Sequence, residues 1–175
     1  MNVAQQAAAP HHLARLASLL VVSLASGMAL AKGDAVDQPV GSDAHLGQLD
    51  RQLGDVVGHA AQMTAAKSAR VVAAQTAWRE HRRDCLDTGD TRQCLAERYA
   101  LRIAVVAAAS GWPPARPPIG LRCAGDPPRG FSINYFATEP STVVVQRRDE
   151  RIAMVQQPTG SGIRYEGGGG VYSEH

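Results

Sequence analysis

From residue 44 onward the apolar positions fall in steps of three and four. Leu46, Leu49, Leu53, Val56, Val57, Ala60 and Met63 share one face at helical spacing, so the pattern predicts an amphipathic helix with one buried stripe. Ser42 or Asp43 can cap its start. Gly54 and Gly58 weaken it, each costing up to about 1 kcal/mol against alanine. Residues 64–83 are rich in alanine and arginine and contain neither proline nor glycine, which predicts a second, long helix. Asp87-Thr88-Gly89-Asp90 is a turn signal. Residues 91–109 return to helix, with Leu95, Tyr99, Arg102, Val105 and Val106 along one side.

The segment SGWPPARPP, residues 110–118, cannot continue a helix. Its prolines lack the backbone donor and fix φ, so it reads as a stiff, extended linker. Beyond it the period changes. Residues 131–137, 142–146 and 151–156 are short, β-branched or aromatic, and separated by the turn signals Glu139-Pro140-Ser141 and Arg148-Asp149-Glu150. Residues 160–165, the glycine run 167–170 and Val171-Tyr172 continue this rhythm. The expected fold class is α+β in two units: an N-terminal helical hairpin or bundle, then an antiparallel β-barrel-like domain too short to close.

The N-terminus carries an address. His11, His12 and Arg15 precede an apolar run at 16–30, and Ala29-Leu30-Ala31 is a small-x-small site followed at once by polar residues. This three-part pattern predicts a secretory signal peptide over 1–31, cleaved after Ala31. The alternative is a membrane anchor, but the run is shorter than the ~20 residues a span needs. The expectation is therefore a periplasmic protein with no stable membrane anchor after cleavage. A flexible leader is expected over 32–43, a helical domain over 44–109, the linker over 110–118 and the β domain over 119–175.

Composition narrows the function. The chain is 45% hydrophobic but only 5% aromatic, so its cores are small. A net charge of +2 with no dense Lys/Arg block argues against a nucleic-acid partner, and the mixed-sign run RRDER at 147–151 reads as a solvated turn. The histidines are scattered, and no Ser-His-acid or metal-ligand cluster stands out, so neither an enzyme nor a cofactor or metal site is expected.

Three cysteines are present, Cys85, Cys94 and Cys123. Exported chains can form disulfides. Cys85 and Cys94 flank the turn at 87–90, where a bridge would staple two antiparallel helices; both lie close enough for the ~5.5 Å Cα separation that a disulfide prefers. A metal site there would need more ligands than His81, the one nearby candidate. Gln75, Trp78, Arg82 and Cys85 lie along one predicted helix, and Cys94, Leu95 and Arg102 along the next. In these two patterns the helical half resembles the N-terminal domain of LprI-type proteins. The earlier cysteine pair common in that family is missing. The resemblance implies an envelope domain, linked in some members to lysozyme inhibition. Trp78 and Tyr99 read as core residues. Arg82 and Arg102 read as exposed by default, or as buried against acids such as Glu80 or Asp84.

In the β half, Cys123 is followed in order by 131–135 (FSINY), 143–145, 152–155 and the loop TGSGIRY at 159–165. In this arrangement the β half resembles the C-type lysozyme inhibitor family, the MliC/PliC group. The resemblance implies that a loop serine and a lysine in the following hairpin enter the lysozyme cleft and bind its catalytic carboxylates. Ser161 falls on the serine. The lysine position falls on His175, and Ser173 replaces the hairpin tryptophan. The lysozyme-binding set implied is Ser161, Gly162, Arg164, Tyr165 and His175, with Arg164 and Tyr165 bracing the loop. The family bridges its first cysteine to one near the C-terminus, so Cys123 is expected to be unpaired within these residues, with its partner and the closing strands beyond 175. Composition alone gives a plainer reading, in which Ser161 is a turn residue of a Gly-Ser-Gly hairpin. The function these residues point to is a proteinaceous inhibitor whose partner is C-type lysozyme. The alternative is a non-catalytic envelope binding or scaffold module.

Overall fold

The structure, a computed structural model, describes residues 34–112, 114–123 and 129–174. The expected signal peptide and His175 lie outside the described residues. The helical unit consists of α1 (Asp37–Ser42), α2 (Ala44–Ala61), α3 (Ala65–His81), a 3-10 helix (Arg82–Asp87) and α4 (Thr91–Ser110). Of the two candidate caps for α2, Asp43 is the one used: its carboxylate accepts from the His45 and Leu46 amides at 2.9 Å each. The predicted stripe is the buried one, with Leu46, Leu49, Leu53, Val56 and Ala60 facing inward. They pack on α4, which buries Leu95, Tyr99, Ile103, Val106 and Ala107. Val105, expected on the same side, instead points outward, because the buried face turns toward Ile103 and Ala104. Gly111 ends α4 in the left-handed region, at φ 73°.

Two expectations for this half need correction. Residues 34–42 are not a loose leader. Val36 and Val40 are buried four residues apart, and α1 is docked by ion pairs from Arg82 to Asp34 and Asp37, both at 3.1 Å. The long helix expected to reach residue 83 stops at His81. The chain then tightens into the 3-10 helix, which carries Cys85 back to Cys94, where the disulfide forms with its Cα atoms 5.5 Å apart. The arginines are buried, but their partners differ from those expected. Arg82 meets Asp34, Asp37 and the Tyr99 hydroxyl, while Arg102 donates to Gln75 Oε1 and the Val71 carbonyl. Only Val71 and Gln75 of α3 are buried, so that helix is held by few side chains.

The second unit is a six-stranded antiparallel meander, curled into a half-barrel. Its strands are β1 (Ile119–Cys123), β2 (Arg129–Phe136), β3 (Thr142–Arg147), β4 (Glu150–Gln157), β5 (Ile163–Gly167) and β6 (Gly170–Glu174), each paired with its neighbours in chain order. The fold is thus α+β, as the change of period predicts. Alternation along β2 and β3 separates the two faces. Phe136 and Val144 join the helical core, whereas Ile133, Tyr135 and Val143 join a second cluster with Met154 and Tyr165 on the concave side. The helices therefore cover the outside of the half-barrel, and the Gln52 amide adds a 2.8 Å bond to the Ala137 carbonyl.

The glycine run has a steric reason. A Cβ at Gly167 would collide with the Ala153 carbonyl of β4, and Gly168 and Gly169 turn the β5–β6 hairpin at φ 54° and 76°, which side chains disfavour. It is a tight, closely packed turn. The RRDER run forms the exposed β3–β4 turn, as expected. Among the described residues, no helix is long and apolar enough to cross a membrane.

Candidate functional site

Strand register defines one rim of the half-barrel. Phe136 pairs with Thr142, Thr142 with Val155, Gln157 with Arg164, and Ile163 with Glu174. The start of β1, the 137–141 turn, the 158–162 loop and the end of β6 therefore lie at the same end of the sheet. The opposite rim carries the 148–149 and 168–169 turns.

Ser161 and Gly162 stand exposed on the 158–162 loop. The loop closes on itself through Thr159, whose hydroxyl donates to the Ser161 carbonyl at 3.0 Å. Gly162 sits at φ 69°, so the reversal into β5 depends on glycine there. The Ser161 side chain forms no hydrogen bond among the described residues, which leaves its hydroxyl open to a partner.

The two residues after Ile163 part company. Arg164 faces outward and pairs with Glu166, its Nε 2.7 Å from the carboxylate. Tyr165 turns inward and is 3% exposed. Its ring meets Tyr135 edge-on at 6.0 Å and stacks on Tyr172 at 6.1 Å. Its hydroxyl lies 3.3 Å from that of Ser141, which ties the loop's exit strand to the neighbouring 137–141 turn. Tyr165 therefore anchors β5, the strand into which the loop exits, to the inner cluster.

A polar knot sits at the same rim. The Tyr135 and Tyr172 hydroxyls both donate to the Glu174 carboxylate and lie 3.1 Å from each other. These two donors hold the Glu174 carboxyl below its ordinary value against the opposing effect of burial. Burial, and then the adjacent carboxylate, push both tyrosine hydroxyls up. At neutral pH the knot is two neutral phenols on one carboxylate. Arg116, from the proline-rich segment, lies with its guanidinium 3.5 Å from the centre of the Tyr135 ring. Nothing local in the sequence marks this knot. The only signal for it was that Tyr135, Tyr165 and Tyr172 fall at inward positions of three strands, which needs the register to be known.

A cleft of about 470 Å³ runs beside the loop between sheet and helices. It is lined by His45 of α2, Arg92 and Gln93 of α4, Glu139, and Gln156 to Pro158. His45 Nε2 is buried without a hydrogen-bond partner. Among the described residues no group of three His, Cys, Asp or Glu side chains is placed to hold a metal ion. Cys123 ends β1, its backbone paired with Arg129.

The comparison with known families falls on this sheet. Residues 122–174 match the family model of MliC, membrane-bound lysozyme-inhibitor of c-type lysozyme. The MliC match takes in β2 to β6 whole, with the Ser161 loop and the tyrosine knot inside it. A second likeness covers more of the chain. Lipoprotein LprI of Mycobacterium bovis is 29% identical over 140 residues, which is 80% of this chain and 70% of that protein. LprI proteins of two Mycobacterium tuberculosis strains match to the same extent. No solved structure matches. The resemblances seen in the two halves of the sequence are thus both met, one by the MliC model and one by LprI.

Proposed function

We propose that this chain is an exported, non-catalytic inhibitor of c-type lysozyme, acting in the periplasm, which presents the Ser161 loop to the enzyme's catalytic cleft. One observation carries the reading: the MliC match takes in β2 to β6, and the rim of that sheet exposes Ser161 on the loop before β5.

The chemistry is direct. A retaining glycosidase works with two closely placed carboxyl groups, one protonated and one ionised. A serine hydroxyl both donates and accepts, so it can satisfy either one. A loop closed by the Thr159 hydroxyl and turned at Gly162 loses little freedom on binding, which favours affinity. His175, outside the described residues, is the proposed second contact, where it would donate a hydrogen bond or, when protonated, set a charge beside the ionised acid. Arg164 and Gly162 complete the contacting surface. In this reading residues 1–31 are a cleaved signal peptide and 110–118 connects a helical domain to the inhibitory one.

The test is lysis of cell-wall substrate by a c-type lysozyme, titrated with the full chain and with Ser161→Ala. Full-length protein is expected to inhibit. The variant should inhibit roughly 10- to 100-fold less, the loss typical of one good interfacial hydrogen bond to a charged group, with unchanged thermal stability because Ser161 is exposed. Lysozyme activity unaffected by the full-length protein contradicts the proposal. The alternative of an envelope scaffold, with the helical unit docking a partner, would show binding to envelope material and no effect on lysozyme.

A further inference from the structure

The proline-rich segment does more than connect the two units. Its Ala115 amide donates to the Tyr135 carbonyl at 2.7 Å, so it is fastened to the end of β2 just before β1 begins. This anchorage delivers Arg116 to the concave side of the half-barrel, with its guanidinium carbon 3.5 Å from the centre of the Tyr135 ring. The residue remains exposed, and it takes part in no ion pair formed among the described residues. The carboxylate that feels its charge, Glu174, is already occupied by two phenol hydroxyls.

Register fixes where this cation sits. Ile119, three residues on, pairs with Ile133, and Ile163 at the exit of the Ser161 loop pairs with Glu174. Tyr135, under Arg116, meets the ring of Tyr165 on β5, the strand that follows that loop. The guanidinium and Ser161 therefore belong to the same rim, with the edge-to-face pair Tyr135–Tyr165 between Arg116 and β5. An arginine laid on a ring keeps its edge donors free, and its planar fork suits a carboxylate.

We infer that Arg116 is a specificity-determining contact of the inhibitory rim, where its guanidinium engages an acidic group at the lysozyme cleft alongside Ser161. The inference rests on the proposal that this rim binds c-type lysozyme. A glycosidase cleft is acidic by the requirement of its chemistry, and a cation on the facing surface both steers encounter and fixes orientation. Arg116 precedes residue 122, so the span that matches MliC does not include it. The linker thus contributes to recognition from outside the family segment.

The experiment compares inhibition constants of the full chain with those of Arg116→Gln, Arg116→Lys and, as a control from the other rim, Arg151→Gln, at low salt and at 0.3 M salt on the order of physiological strength or above. Arg116→Gln should inhibit about 10- to 100-fold less at low salt and lose most of the salt dependence of the parent, while Arg116→Lys keeps that dependence. Arg151→Gln should behave as the parent. If the parent inhibits and Arg116→Gln matches it in constant and salt slope, the inference is overturned and the Ser161 reading stands. Weaker inhibition with the parent's salt slope and a lowered melting temperature also overturns it, since Arg116 is then only a brace for Tyr135. A parent that does not inhibit at all removes the inference together with the function on which it rests.

Discussion

Tyr165 shows how a residue can matter to a contact it does not make. Its ring is buried among Tyr135, Tyr172 and Met154, and it anchors the strand into which the Ser161 loop exits. Replacing it by alanine should cost about 3–5 kcal/mol, the range for deleting a buried aromatic ring, and should weaken inhibition by unseating the loop. Tyr165→Phe keeps the ring and gives up only the 3.3 Å contact to Ser141, so a cost near 1 kcal/mol or less is expected. Urea unfolding of the two variants checks this, and a phenylalanine as costly as the alanine contradicts it. Ser161 was legible in the sequence because its neighbours form a spaced pattern. The knot at Glu174 was not, because Tyr135 and Tyr172 are 37 residues apart and nothing local announces that they meet. Arg116 was hidden for a related reason: a proline-rich run reads as a spacer until its anchorage to β2 is seen.

At the scale of elements, the strap 34–42 and the 3-10 helix hold the helical unit together from outside its main stripe. Burial raises the Asp34 carboxyl, but the Val36 amide and the guanidinia of Arg82 and Arg83 more than offset this, and the net shift is downward from 3.8. A carboxyl whose folded value lies below its unfolded one stabilises the fold above the unfolded value, and that stability is lost as pH falls through the lowered one. The urea midpoint should therefore hold from neutral pH down to about 4 and drop below it, and Asp34→Asn should remove part of the drop while lowering stability at neutral pH. An acid drop identical in Asp34→Asn contradicts this role. Arg82→Ala should cost about 1–3 kcal/mol, because it removes a donor from the buried Tyr99 hydroxyl and from the largely covered Asp34 carboxylate. Reducing or removing the Cys85–Cys94 bridge, with a sequence separation of 9, should cost about 2–3 kcal/mol on the loop-entropy model. Helical periodicity made α2 and α4 readable, since each buries one continuous stripe. The strap was unreadable because only two valines and two aspartates commit it to the core, too few to set a period.

For the molecule as a whole, the two units share buried side chains. Phe136 and Val144 of the sheet lie in the same cluster as Leu49, Tyr99 and Ala107, so the sheet's convex face is a wall of the helical core. Thermal unfolding followed by tryptophan emission, from Trp78 and Trp112 in the helical unit, should coincide with that followed by tyrosine signals from the sheet. Val144→Ala should lower both together, and separate transitions would show that the units fold independently. The change of period at the proline-rich run marked where helix gives way to sheet. It gave no hint that the sheet returns to pack on α4, because alternation reveals that a strand has two faces and not what covers each. The central claim is that the rim carrying Ser161 occupies the catalytic cleft of a c-type lysozyme. The most direct measurement is calorimetric binding of the full chain to lysozyme, with and without a saturating N-acetylglucosamine oligosaccharide in the cleft. The account expects the oligosaccharide to compete, weakening the apparent affinity in proportion to its occupancy; equal affinity with the cleft filled, or no binding to lysozyme at all, contradicts it.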